Sequence, residues 1–170
     1  MEKDVSLLSG IALFKGLSGE KIRKILNIMR KVTFSENEII MKEGDSGDTM
    51  YIILEGSVEV VKSLVIGDME EEDLGRNKVF TRLDSKHHHA VFGEIALLEE
   101  LKRTATIKAV TNCVLYEIKK DDFLKLVDDD YELGYRILLN LARVVSARLR
   151  KADEETIKLT TALSIVLRET

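Results

Sequence analysis

Along the first thirty residues the apolar positions recur at helical steps. Val5, Leu7, Leu8 and Ile11 share one helical face that runs on to Leu13 and Phe14, and Gly16 ends it. Ile22, Ile25, Leu26 and Met29 repeat at three- and four-residue steps behind Ser18, which with Lys21 makes only a partial cap, so a second short helix is predicted. From Lys31 the period drops to two. Val32 and Phe34 alternate with polar residues, Ile39-Ile40-Met41 follows, and the cluster Gly44 to Asp48 reads as a turn. Next come the apolar run Met50 to Leu54, a tight turn at Glu55-Gly56, and Val58, Val60 and Val61. Short strands joined by glycine turns at this spacing predict an all-β sandwich or barrel. Gly44, Gly47 and Gly56 are expected where the turns need positive φ.

The stretch 67–73 is acidic and aperiodic and reads as an exposed loop, followed by a strand from about Lys78 to Leu83. Ala105 to Val110 and Val114 to Ile118 alternate again and would close a barrel. After Lys119 the pattern turns helical, with Phe123, Leu124 and Val127 in a short helix. Asp128, Asp129 and Asp130 then collect negative charge where a long helix would begin, which offsets the positive end of its dipole. From Glu132 to about Arg168 there is no proline and only Gly134 near the start, which allows one helix of roughly 50–55 Å or two with a break. On it Leu138, Leu141, Val145, Leu149, Ala152, Thr156, Leu159, Leu163 and Val166 form a seam with steps of three and four. A stripe sustained past Ala152 predicts a partner helix, most simply its twin in a parallel homodimer. The chain thus divides into N-terminal helices (1–30), a β-barrel (31–119) and C-terminal helices (120–170).

Composition narrows the class. The chain has 170 residues, 45% of them hydrophobic, enough for a proper core. Its formal net charge of −4 argues against a general nucleic-acid binder. The single Cys113 excludes an internal disulfide and, in a run of strand formers, reads as a buried structural thiol. With no leader pattern and no stretch of membrane-spanning length, a soluble cytoplasmic protein is the expectation, with no membrane and no DNA partner.

Candidate chemistry concentrates in Phe92-Gly93-Glu94-Ile95-Ala96-Leu97-Leu98 and Arg103-Thr104-Ala105-Thr106. Gly93 lets the backbone approach a ligand, and the amides of Ile95 and Ala96, at the start of a helical turn, would donate to a phosphate oxygen. Arg103 supplies a planar, charged fork for phosphate oxygens. The alternative is that Arg103 pairs with Glu94 or Glu99 in an empty pocket.

The string FGEIALLEELKRTAT resembles the phosphate-binding cassette of the cyclic-nucleotide-binding domain family, which includes the catabolite activator proteins and the regulatory subunits of cyclic-nucleotide-dependent kinases. EGDSGDTMYIILEGSVEV is similar to the same family, and the resemblance covers about residues 10–155. It implies a double-stranded β-helix, or jelly-roll, barrel, flanked by N-terminal helices and a long C-terminal helix. It also implies a ribose hydroxyl on Glu94 beside Gly93, and Thr104 near the purine. The segment LLNLARVVSARLRKADEE resembles the dimer helix of the activator branch, which would place Ala152 and Asp153 near the base. A hydroxyl at Thr104 both donates and accepts, so by itself it does not decide between adenine and guanine; cyclic AMP, the commoner ligand in bacterial members of the family it resembles, is the first expectation and cyclic GMP the second. Two departures stand out: His89 where the family commonly has glycine, and Lys102 where proline is frequent, which implies a softer turn before Arg103.

The expected function is a non-enzymatic cyclic-nucleotide sensor, without cofactor or metal, that signals through the C-terminal helix to an unidentified effector. Seventeen residues follow Asp153, too few for a DNA-reading module, so a stand-alone sensor is expected. Two alternatives remain open. One is a degenerate domain kept for dimerisation. The other is a cupin-like metal enzyme using His87, His88 and His89, which consecutive positions on an extended segment make a poor ligand set.

Overall fold

The structure is a computed structural model that describes residues 2–63, 77–85, 91–99 and 102–168. The acidic stretch 67–73 and the histidines 87–89 lie outside these residues. The chain opens with α1 (Glu2–Ser9), a 3-10 turn (Ala12–Phe14) and α2 (Gly19–Leu26). Eight strands follow: β1 (Arg30–Phe34), β2 (Ile39–Met41), β3 (Thr49–Glu55), β4 (Ser57–Ser63), β5 (Asn77–Asp84), β6 (Val91–Phe92), β7 (Thr106–Ala109) and β8 (Cys113–Lys119). A second 3-10 turn, Glu94–Leu97, follows β6, and α3 (Lys120–Asp129) and α4 (Tyr131–Val166) complete the chain.

The strands form two antiparallel four-stranded sheets, ordered β1-β8-β3-β6 and β2-β7-β4-β5. One core lies between them, where Tyr51, Ile53 and Leu115 of the first sheet meet Val58, Leu83 and Ile107 of the second. The other face of the first sheet, through Met50, Ile52 and Ile118, packs against the helices, with Phe14, Ile22, Phe123 and Ile137. This explains the unbroken apolar run in β3: a strand covered on both faces has no solvent side to make polar. Cys113 is buried, and its thiol donates toward the carbonyls of Ser57 (3.3 Å) and Thr111 (3.2 Å).

The expected barrel is corrected in one respect. Among the described residues no ladder joins the two sheets, so the strands form two open sheets packed face to face, mainly antiparallel β with flanking helices. The bridge Ser46↔Lys102 is isolated and outside the named strands, and β2 and β6 are three and two residues long, too short to carry a continuous ladder round the corners.

The helices are riveted to one another by polar contacts. Ser18 caps α2 by accepting from the amide of Lys21 at 3.4 Å. Asp130 caps α4, accepting from the amide of Leu133 at 3.1 Å and from Lys24 Nζ of α2 at 2.7 Å. Those bonds, the Lys24 ammonium first, hold its carboxyl pKa down at about 2. Asn140, 3% exposed, donates to the carbonyls of Leu13 (3.0 Å) and Lys15 (2.8 Å), which ties α4 to the first 3-10 turn. The helix α4 runs unbroken for 36 residues, about 54 Å. Its first third packs on the core through Leu133, Ile137 and Leu141, and everything beyond Arg148 is exposed.

Candidate functional site

A cavity of about 330 Å³ opens between the second sheet, the segment 92–96, the segment 102–105 and the middle of α4. Its floor is apolar, with Met41, Val60, Leu83 and Ile107. Its polar side is set by residues the sequence singles out. Gly93, Glu94, Ile95 and Ala96 line it from the 3-10 turn, and Arg103 and Thr104 line it from the segment before β7. Ala152 reaches it from α4, whereas Asp153 does not line it; Lys151 and Glu155 do so instead, one turn apart on the same helix.

Arg103 is 8% exposed and held from both ends. Its backbone pairs with the turn after β2: its amide donates to the carbonyl of Asp45 (2.7 Å), and its carbonyl accepts from Gly44 (2.9 Å). This pairing, with Lys102 opposite Ser46, fixes a stretch that its lack of proline suggested would be soft. At the other end the guanidinium donates twice to Thr49, through Nη1 to the carbonyl and through Nη2 to Oγ1, each at 2.8 Å. Neither Glu94 nor Glu99 pairs with it among the described residues. Thr49 Oγ1 in turn lies 3.4 Å from the Tyr51 hydroxyl, which donates to Glu117 at 3.2 Å. Burial raises the Tyr51 hydroxyl pKa above that of a free phenol, so it stays a donor. Its ring stacks on Phe92, centroids 5.3 Å apart, which anchors the strand that leads into the 3-10 turn.

Two glycines make room for this arginine. Gly93 has φ 73°, and a Cβ there would come 2.9 Å from the Thr49 carbonyl and 3.0 Å from Arg103 Nη1. Gly47 is required for a different reason from the one its turn suggests. Gly44 and Gly56 adopt positive φ, as expected, but Gly47 does not; a Cβ on it would overlap Arg103 Nε. The second 3-10 turn is closed by the Ala96 amide donating to the Gly93 carbonyl at 3.2 Å.

Glu94 is 4% exposed, and its carboxylate receives Arg148 Nη1 of α4. Arg148 Nη2 also donates to the Val91 carbonyl at 2.7 Å, so one guanidinium spans the strand and the turn on either side of Phe92 and Gly93. A buried carboxylate needs such a counter-ion, since an unpaired charge there carries a desolvation cost of several kcal/mol, on the order of that for any buried ion. The sequence offered no sign of this partner, nor of Thr49: both lie 54 positions from the residue they hold. The helical step from Ala152 back to Arg148 is the one local clue, since residues four apart share a face. Among the described residues four cations, Lys102, Arg103, Arg148 and Lys151, line the cavity against two acids, Glu94 and Glu155. The balance favours an anionic ligand, with a buried arginine fork for its charge and a buried acceptor for a hydroxyl. Among the described residues no cluster of His, Cys, Asp or Glu could hold a metal ion, and no helix is long and apolar enough to cross a membrane.

Comparisons with known proteins bear on this geometry. The family model described as "Cyclic nucleotide-binding domain" matches residues 31–130. The chain is 31% identical over 134 residues to the cGMP-dependent protein kinase, isozyme 1, of Drosophila melanogaster, covering 78% of this chain and 16% of that protein. It is 32% identical over 124 residues to the cAMP-dependent protein kinase regulatory subunit of Dictyostelium discoideum, covering 72% and 33%. It therefore spans a third or less of these relatives' length. Among solved structures, the catabolite activator protein of Thermus thermophilus aligns with a TM-score of 0.72 at 27% identity, over 88% of this chain and 63% of that one. A cyclic nucleotide-binding domain from Methylobacillus flagellatus aligns with a TM-score of 0.75 at 23% identity, over 91% and 80%, which speaks for the fold. The match spans both sheets and the whole cavity-lining segment from Phe92 to Ile107, and on it the chain belongs to the cyclic nucleotide-binding domain family.

Proposed function

We propose that this chain is a non-enzymatic regulatory module that binds a cyclic nucleotide in the cavity beside Arg103. The observation that carries the reading is Arg103 itself: a guanidinium 8% exposed, pinned by Thr49 and by two glycines, and lining a cavity with no carboxylate paired to it among the described residues. An anion entering the cavity supplies the missing charge. In this reading Arg103 and the amides of Ile95 and Ala96 hold the cyclic phosphate, the Ala96 amide turning from the Gly93 carbonyl to a phosphate oxygen, Gly93 and Glu94 take the ribose, and Thr104 and Ala152 stand near the base. Cyclic AMP is the first ligand to test and cyclic GMP the second; relatives named for each nucleotide are similar to this chain.

The signal passes through α4, which carries Arg148 at the cavity and continues as an exposed helix. One exposed stripe runs along it through Tyr131, Tyr135, Leu138, Ala142, Val145 and Leu149, continued by Ala152, Thr156, Leu159, Leu163 and Val166, while Ile157 and Ile165 are exposed outside it. The steps alternate four and three without a fault, the repeat of a coiled-coil seam. Leu141, assigned to the seam by sequence, is 2% exposed and belongs to the chain's own core; Ala142 takes its place, and the repeat reaches back to Tyr131. We therefore read the protein as a homodimer through α4, acting on a further protein.

A thermal melt with cyclic AMP and cyclic GMP tests this, for the wild type and for Arg103→Ala. A ligand at 100 times its dissociation constant stabilises by about 2.7 kcal/mol, roughly 5–10 °C here. No shift with either nucleotide overturns the reading.

A further inference from the structure

We propose that Tyr51 and Glu117 are positioning residues for the anion site: together they fix the direction of a chain of hydroxyl bonds that holds the Arg103 fork ready for a phosphate. The inference rests on the cyclic-nucleotide reading above and adds to it two residues that do not touch the ligand.

Three side chains that do not line the cavity, Thr49, Tyr51 and Glu117, are linked in a row to one that does, Arg103. Strand geometry brings them together. Thr49 and Tyr51 are two apart on β3 and so share a face of the sheet, and Tyr51 stands directly opposite Glu117 in the antiparallel ladder of β3 with β8. The bonds run in one line. Arg103 Nη2 donates to Thr49 Oγ1 at 2.8 Å, Thr49 Oγ1 donates to the Tyr51 hydroxyl at 3.4 Å, and the Tyr51 hydroxyl donates to Glu117 Oε1 at 3.2 Å.

The two ends decide the direction. A guanidinium only donates and an ionised carboxylate only accepts, whereas a hydroxyl does both. Between such ends there is one arrangement in which each bond holds a single proton, and it is the one described. Any other turns a hydroxyl hydrogen against Arg103 Nη2 or leaves the carboxylate without a donor. The opposite charges at the ends favour the same direction, and bonds linked in a chain strengthen one another. Burial keeps the Tyr51 hydroxyl protonated. Its ring, 7% exposed, lies stacked on Phe92 with centroids 5.3 Å apart and edge-on to Phe34 at 6.3 Å, so the hydroxyl cannot swing out of line. Glu117 is half-buried at the far end, and its charge thus reaches the arginine through two hydroxyls.

Without the acceptor end, the Thr49 hydroxyl is free to turn its hydrogen toward Arg103, and the fork loses one of its two anchors for part of the time. An entering phosphate then has to order the fork itself, at a cost in affinity. Selectivity falls with it. A fork held in one orientation tells the two exocyclic oxygens of a cyclic phosphate apart, and a loose one does not.

The test uses the full chain and isothermal titration with cyclic AMP and cyclic GMP. Tyr51→Phe keeps the ring and its stacking and removes the hydroxyl. Glu117→Gln keeps the shape and ends the chain on an uncharged group that both donates and accepts. Binding is expected to weaken by about threefold to tenfold in the first and about twofold to fivefold in the second, the range for one net hydrogen bond. Each is repeated with Thr49→Val, where the chain is already cut, and neither is expected to cost anything further there. A second readout is the ratio of affinities for the two phosphorothioate diastereomers of each cyclic nucleotide, expected to shrink toward one in Tyr51→Phe. Wild-type affinity in either variant, a loss kept in full beside Thr49→Val, or the same diastereomer ratio in Tyr51→Phe as in the wild type overturns this proposal and leaves the sensor reading standing. A wild type that binds neither nucleotide overturns both.

Discussion

Arg103 and Thr49, 54 positions apart in sequence, are joined by two hydrogen bonds of 2.8 Å, one to the carbonyl and one to the hydroxyl of the threonine. The pair turns a flexible side chain into a fixed fork. Its orientation is settled before any ligand arrives, so little side-chain entropy remains to be lost on binding.

Thr49→Val separates these two bonds. It keeps the shape and the backbone carbonyl and removes the hydroxyl, leaving Arg103 held at one nitrogen. A hydrogen bond to a charged group contributes about 1.5–3 kcal/mol, so cyclic-nucleotide affinity is expected to fall by about tenfold or more. Isothermal titration reads the loss, and circular dichroism is expected to be unchanged. An affinity equal to the wild type would show that Thr49 does not orient the arginine.

Gly93→Ala places a Cβ at φ 73°, 2.9 Å from the Thr49 carbonyl and 3.0 Å from Arg103 Nη1. Left-handed backbone costs a residue with a Cβ about 1–2 kcal/mol before any clash is counted. The variant is expected to lose at least that in urea unfolding and to lose nucleotide binding with it. Gly47→Ala, whose φ is not positive, is expected to impair binding more than stability, because the three atoms nearest its Cβ all belong to the Arg103 guanidinium and the clash displaces that fork.

Asn140 offers a test of the rivet between α4 and the first 3-10 turn. It is 3% exposed and donates to two carbonyls. Asn140→Leu leaves both acceptors buried without a donor, at about 1–3 kcal/mol each. Urea denaturation is expected to show a loss within that range or above it. Asn140→Asp, which brings only acceptors, is expected to be worse.

Asp130 carries a pH dependence with a definite sign. Its carboxyl is held at about 2 against an ordinary 3.8, first by Lys24 and then by the Leu133 amide. A folded-state pKa below the unfolded one gives stability that is fully present above pH 3.8 and is lost as the pH falls through about 2. Asp130→Asn is thus expected to be less stable than the wild type at pH 6, with the gap closing between about pH 4 and pH 2. A gap that is constant over that range would mean the charge plays no part.

The elements were legible where local pattern decides them. The helical steps of Ile22 and Ile25, the strand in the apolar run of β3 and the long helix allowed after Glu132 follow from periodicity and from the absence of proline. The cavity-lining residues from Gly93 to Ala96, with Arg103 and Thr104, were legible for a similar reason. They lie within one short stretch, and each has a chemistry that a turn at the end of a strand can present by itself. Asp153 was misplaced relative to the cavity because one residue along a helix is about 100° around it: Ala152 faces the cavity, and its neighbour does not.

The sequence alone therefore determined the stretch that lines the cavity, the order of strands and helices, and a stripe of apolar residues along the last helix, because these depend on neighbours in the chain. Only the tertiary structure decided that Thr49 holds Arg103, that Arg148 answers Glu94, and that Leu141 faces inward while Ala142 faces out. Those choices depend on which segments the two sheets and the long helix bring face to face, and buried charges take their partners across that distance.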